Sequence, residues 1–148
     1  MELRPAKTHV HTINVTWGDC DPAKIVYTGR LPWFMLDAIN GWWEEHLRGD
    51  GWFEMELDRN VGTPFVRLEM DIMVPVTPRH KLICHVWPVK LGETSIAFRV
   101  DAEQDNKICF SARTVSVFVV ADKFQKRLPP DEIRRIIESQ ISEADPES

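Results

Sequence analysis

The sequence predicts an α+β fold in which a curved antiparallel sheet wraps one long central helix. Three observations point to it. Leu31 to Leu47 is apolar at helical spacing over a broad face, Thr63 to Ala121 falls into alternating strand-length runs joined by short turns, and a further alternating run, Thr8 to Trp17, precedes the helix. A helix this hydrophobic has to be enclosed, and a sheet with one apolar face is the surface available to enclose it.

The 148 residues match the common size of one domain, so a single domain over 1–148 is expected, with a loose lead-in at 1–7 and an acidic tail at 142–148. From Thr8 to Trp17, Ile13, Val15 and Trp17 share one face and Thr12, Asn14 and Thr16 the other, the pattern of a half-buried strand. In the helix, Leu31, Phe34, Met35, Ala38, Ile39 and Trp42 form the apolar face, widened by Trp33, Leu36 and Trp43. Asp37, Asn40, Gly41 and Glu44 are its polar stripe, expected to face a pocket, a partner or a water-filled seam. Pro32 fits only a first turn, which puts the helix start at Gly29 to Leu31. Gly49-Asp50-Gly51 breaks the helix, and Trp52 to Leu57 reads as a short helical turn.

Thr63 to Val76 is the cleanest strand, with Val66, Leu68, Met70, Ile72 and Val74 on an expected core face. Pro75 and Pro78 end it. Lys81 to Lys90, Ser95 to Glu103 and Ile108 to Ala121 follow as strands, Pro88 marking an edge or a bulge, and their short connections predict an antiparallel meander. Pro130 to Ile141 carries Ile133, Ile136, Ile137 and Ile141 at helical spacing, an amphipathic terminal helix.

A net charge of −5 argues against a sequence-independent nucleic-acid binder. Apolar runs fall well short of the roughly 18 residues that span a membrane, and Met1-Glu2-Leu3-Arg4-Pro5 has no signal-peptide core. A soluble, cytoplasmic protein with neither nucleic-acid nor membrane partners is the expectation. Cys20, Cys84 and Cys109 are odd in number and lack CxxC spacing, so neither disulfides nor a zinc site is expected. His9 and His11 share a strand face that would suit a metal, but no third ligand has a matching position. Nucleophile-elbow, dinucleotide and P-loop motifs do not occur.

Asp19 and Asp21, in Gly18-Asp19-Cys20-Asp21-Pro22-Ala23, admit two readings. They are turn residues, since Asp-Pro initiates turns. Alternatively, one is a carboxylate beside a helix N-terminus, acting as nucleophile or general base while helix-end N–H groups polarise an acyl carbonyl.

That loop, with Ile25-Val26-Tyr27, Leu36-Asp37-Ala38 and Val61-Gly62-Thr63-Pro64, resembles the 4-hydroxybenzoyl-CoA thioesterase branch of the hot-dog-fold family, in the same order from Ile13 to Val120. The resemblance implies hydrolysis of an acyl- or aroyl-CoA thioester, with no cofactor beyond the CoA of the substrate, in a homodimer or homotetramer paired through its sheet, with active sites at the subunit interface. It makes Asp21 the catalytic carboxylate and assigns the N–H of Thr28 or Gly29 to the thioester oxygen. Asp37 falls at the acyl end of the pocket with Gly62 and Thr63 near it, and Tyr27 and Trp33 are aromatic candidates for the same pocket. Asp19 becomes a loop-shaping residue.

The chain departs from the family in two places. Tyr27-Thr28-Gly29-Arg30-Leu31-Pro32 replaces a Tyr-Pro-Asn-Tyr-like segment and carries one residue more. Leu91-Gly92-Glu93-Thr94 replaces a phosphate-binding basic cluster, leaving Lys90, Lys126 and Arg127 as CoA-phosphate candidates or as plain solvated charges. These departures motivate an alternative, a non-catalytic acyl-CoA or aromatic-acid binding module in the same cleft. A hot-dog dehydratase would want a His between Gly18 and Leu31, and none is there.

Overall fold

A computed structural model describes residues 3–141, so the acidic tail lies outside the described residues. A long helix, α1 (Leu31–His46), lies on the concave face of a five-stranded antiparallel sheet formed by β1 (His9–Ile13), β3 (Phe65–Ile72), β4 (Leu82–Leu91), β5 (Ser95–Gln104) and β6 (Lys107–Val117). Strand order is β1-β4-β5-β6-β3. A second small sheet joins β2 (Val61–Gly62), β7 (Val119–Val120) and β8 (Gln125–Lys126), and a terminal helix, α2 (Asp131–Gln140), closes the described chain.

The α1 face of Leu31, Phe34, Met35, Ala38, Ile39, Trp42 and Trp43 is buried against Leu82, Cys84 and Val86 of β4 and Ile96, Phe98 and Val100 of β5. Trp42 meets Trp43 and Phe98 edge-on at centroid distances of 5.0 and 5.1 Å, the geometry ring quadrupoles favour. Ile133 and Ile137 of α2 join the same core.

Several sequence expectations need correction. Trp17 is exposed, because β1 ends at Ile13 and the chain enters a 3-10 turn, Trp17–Asp19. Gly41 belongs not to the polar stripe but to a buried contact with β1, where an added Cβ would lie 2.6 Å from His11 Nδ1. Pro88 does sit at a bulge in β4, past the Leu82 to Val86 stretch that pairs with β1, as a residue without an N–H requires. The strand predicted to run to Ala121 breaks at Phe118, and β7 joins the small sheet.

The largest difference concerns β3. It does not precede β4 in a meander: its Pro-interrupted connection carries the chain across to pair with β6. Leu68, Met70 and Ile72 lie opposite Thr114, Ala112 and Phe110, on the helix-facing side as the alternation predicts. Yet Leu68 and Ile72 remain 51% and 49% exposed, because α1 packs over β1, β4 and β5 and does not reach this edge.

Buried Glu54, in the turn Glu54–Asp58, accepts from the Arg48 N–H at 2.9 Å and from Arg59 Nε at 2.9 Å. Arg59 also reaches Glu132 of α2 at 2.9 Å. Hydrogen bonding to Glu132 is the largest influence on the guanidinium and, with Glu54, holds its pKa above the usual value against burial. This chain of charges ties the segment after α1 to the terminal helix.

Candidate active site

Asp21 begins a tight reversal. Asp21 C=O accepts the Lys24 N–H at 2.9 Å, Asp21 Oδ1 accepts the Ala23 N–H at 2.9 Å, and Asp21 N–H donates to Ile25 C=O at 3.0 Å. Lys24 takes a left-handed φ of 67°. A turn followed by one left-handed residue is a common way to close a three-residue hairpin, and Pro22 suits its second position. Cys20 and Val26 pair across it, and Val26 N–H donates to Val76 C=O at 2.8 Å, anchoring the hairpin beyond the end of β3. Asp21 is half-buried, with one carboxylate oxygen held by the backbone.

Asp19 has a different job. Its Oδ2 accepts from Thr16 N–H and Thr16 Oγ at 2.9 Å, and its Oδ1 accepts from Arg30 Nε at 3.0 Å. Burial pushes its pKa up, but these hydrogen bonds and the Arg30 charge outweigh it and hold the carboxyl below the ordinary 3.8. The Arg30 guanidinium also lies 5.8 Å from the Phe34 ring centroid, joining the loop to the first turn of α1.

That first turn is preceded by a 3-10 turn, Thr28–Arg30. Tyr27 N–H donates to Asp19 C=O at 2.9 Å and Arg30 N–H to Tyr27 C=O at 2.8 Å. Among the described residues no backbone carbonyl accepts from the N–H of Thr28 or Gly29. Two unpaired donors therefore stand at the positive end of the helix. A Cβ added at Gly29 would lie 2.5 Å from Tyr27 Cε2, so the Tyr27 ring rests directly over this glycine.

Around these groups lie three concavities. A recess of about 270 Å³ is lined by Ile25, Val26, Thr28, Leu31, Met73 and Val74 among others, beside the hairpin of Asp21. A groove of about 560 Å³ runs along α1, lined by Trp33, Leu36, Asp37, Trp52, Phe53 and Glu56 among others. A third hollow, about 250 Å³, shares Trp52 and Glu56 with that groove and adds Thr63, Phe65 and Phe124. Gly62 is buried beside them, where a Cβ would meet Val119 Cγ2 at 2.9 Å and Glu56 Oε1 at 3.1 Å.

The predicted residues thus fall into two groups in a single chain. Asp21, Tyr27, Thr28 and Gly29 gather at the hairpin and helix start, whereas Trp33, Asp37, Gly62 and Thr63 surround the groove and its neighbouring hollow. Lys90 lies exposed next to the last residue of β4 and Lys126 lies exposed on β8, while Arg127 donates from Nε to Leu128 C=O at 2.8 Å. His9 Nδ1 meets Glu45 Oε2 at 2.5 Å, its ring 6.2 Å from that of His11, and among the described residues no three His, Cys, Asp or Glu side chains converge as a metal site would require. Sequence reading missed Trp52, Phe53 and Glu56 as groove residues. The signal available was the helical turn after Gly51, with aromatics one turn before an acid.

A sequence model described as the thioesterase-like superfamily matches residues 15–137. A solved thioesterase-superfamily structure from Jannaschia sp. CCS1 is 56% identical over 96% of this chain and 99% of its own, with a TM-score of 0.93. A 1,4-dihydroxy-2-naphthoyl-CoA thioesterase from Synechocystis is 16% identical over 88% of this chain and 96% of its own, at TM-score 0.78. A DHNA-CoA thioesterase from Staphylococcus aureus is 12% identical over 88% of both, at 0.79. At these last two identities the likeness is one of fold. No curated protein sequence matches the chain.

Proposed function

The chain belongs to the thioesterase-like superfamily, and from that premise we propose that it hydrolyses an acyl- or aroyl-CoA thioester to the free acid and CoA, with Asp21 as the reacting carboxylate. Its architecture is the hot-dog fold of the thioesterases it resembles. The observation that supports the reading is that one recess is lined both by Ile25 and Val26, from the hairpin that holds Asp21, and by Thr28, whose N–H, like that of Gly29, has no backbone acceptor among the described residues.

In this mechanism the thioester carbonyl oxygen receives the Thr28 and Gly29 N–H groups. A preorganised donor of this kind is worth about 10²–10³ in rate. Asp21 acts through the oxygen that Ala23 does not hold. It either adds to the carbonyl, expelling CoA thiolate and leaving an anhydride for water to open, or takes a proton from water as that water adds. Both routes use a carboxylate and backbone amides alone. Tyr27 covers the helix start, and Trp33, Asp37, Gly62 and Thr63 contribute to the acyl side. Lys90 and Lys126, both exposed, and Arg127 remain the candidates to meet the CoA phosphates.

Self-association is part of the proposal. β3 is an edge strand whose helix-facing apolar side chains α1 leaves uncovered, and a second copy supplies the missing cover.

A thiol-release assay over aliphatic, aryl and hydroxyaryl CoA esters tests the activity. Asp21→Asn should lower turnover by about two orders of magnitude or more while CoA-ester binding persists. Undiminished turnover in that variant refutes the assignment. Calorimetric binding without thiol release from any ester would favour the non-catalytic acyl-CoA binding module.

A further inference from the structure

The groove along α1 has an unusual wall chemistry. One wall is α1, with Trp33 one turn before Asp37. The facing wall is the segment after Gly51, with Trp52 one turn before Glu56. On α1 residues four apart share a face, and on the facing π-helical segment Trp52 and Glu56 both line the groove, so each wall presents an indole and a carboxylate together. Phe53 adds a third ring, and Leu36 and Leu57 complete an apolar lining.

The two walls are held at a fixed separation. Asn40 Oδ1 of α1 accepts the Trp52 N–H at 2.9 Å. Gly51, at φ +55°, permits this approach, since a Cβ there would lie 2.3 Å from Asn40 Oδ1. Trp52 is braced edge-to-face on Phe65, with centroids 5.8 Å apart at 86°. The groove is therefore preformed, and its volume of about 560 Å³ lies in the range of small-molecule sites.

Its charges have one sign. Neither Asp37 nor Glu56 forms a salt bridge among the described residues, and no Lys, Arg or His lines the groove. An anionic ligand would be repelled by both carboxylates. A neutral apolar ligand would desolvate them without compensation. A cation is attracted by the carboxylates and also by the faces of the indoles, which are the strongest cation-binding rings.

We propose that this groove receives the positively charged end of an acyl group, an ammonium held between Trp33 and Trp52 and neutralised by Asp37 and Glu56. The inference rests on the thioesterase reading and narrows its substrate class to CoA esters of ammonium-bearing acids. Leu31 lines the recess beside Thr28 and Trp33 lines the groove on the outer side of the same first turn of α1, so the inference calls for an acyl chain long enough to pass the helix start between them. Trp52 and Glu56 become specificity-determining residues alongside Trp33 and Asp37.

The test compares three CoA esters of equal chain length, ending in trimethylammonium, in its uncharged tert-butyl isostere, or in carboxylate. Thiol release should favour the ammonium ester over the isostere by about tenfold or more in kcat/KM, with the carboxylate ester poorest. In D37N/E56Q the ratio between the first two should fall close to one. Equal use of ammonium and tert-butyl esters by the unaltered protein overturns the inference and leaves the thioesterase reading standing, as does a preference the double variant does not change. If no ester is hydrolysed, calorimetric titration with the trimethylammonium ester decides separately. Binding weakened about fivefold or more in D37N/E56Q supports the groove while the thioesterase reading fails, and binding the double variant does not weaken overturns the groove too.

Discussion

Arg30 grips Asp19 with two nitrogens, Nε at 3.0 Å and a terminal guanidinium nitrogen at 2.9 Å, both on Oδ1 of the carboxylate. This contact makes the acid hairpin and the start of α1 a single unit, because Asp19 C=O also receives the Tyr27 N–H. Asp19 is buried and Arg30 is half exposed, so the pair sits at the surface with its anion inward. Asp19→Ala should cost about 2–3 kcal/mol, the scale of lost hydrogen bonds to a charged group, read by urea unfolding. Because the Thr28 and Gly29 donors hang from the same unit, turnover should fall by about tenfold or more with the fold retained. The folded carboxyl titrates below 3.8, so its stabilisation is fully present above that value and is lost as pH falls through the lowered folded value. Asp19→Asn should flatten this acid limb of a stability-against-pH curve.

Glu54 is the most deeply buried charged side chain among the described residues, at 2% exposure with Arg59 as its counter-ion. Removing one partner of a buried pair strands the other, so Glu54→Ala should destabilise by about 3–5 kcal/mol, visible as a large fall in thermal midpoint. Glu132 is solvent-exposed, and Glu132→Gln should scarcely move the midpoint. Equal effects from both changes would show that the network, rather than the burial of Glu54, sets the stability.

The open flank of β3 predicts assembly behaviour. Val66 is 62% exposed beside Leu68 and Ile72, on a strand whose outer edge lacks a neighbour in the described sheet. Leu68→Asp should shift sedimentation from an oligomer to the monomer mass without loss of helical circular dichroism. A monomer in the unaltered protein would refute the second-copy cover.

Much of this was legible in the sequence. Helical spacing from Leu31, the Pro32 position and the alternation of residues 82–117 suffice for the main helix and most of the sheet, because local period and turn chemistry determine them. The Asp21-Pro22 turn was legible for the same reason. The path of β3 was not, since alternation assigns Leu68 and Ile72 a face but says nothing about whether a helix reaches them. Gly41 read as polar because a missing side chain leaves no pattern, although its bareness is what admits His11. The second wall of the groove was hidden because Glu56 and Asp37 are distant in sequence, and tertiary contacts such as the bond from Trp52 to Asn40 bring them to one place.

The three-residue hairpin at Asp21 has an evolutionary consequence. Its loop length, the left-handed Lys24 and the bond from Val26 to Val76 fix the acid against the sheet, and an insertion or deletion there would turn the carboxylate away. The segment from Gly51 to Asp58 carries no such constraint on the acid. Under the proposed function, exchange of its surface residues would leave the reaction in place, and acceptance of new acyl groups would drift by substitutions in one peptide stretch while bond cleavage stayed inherited in another.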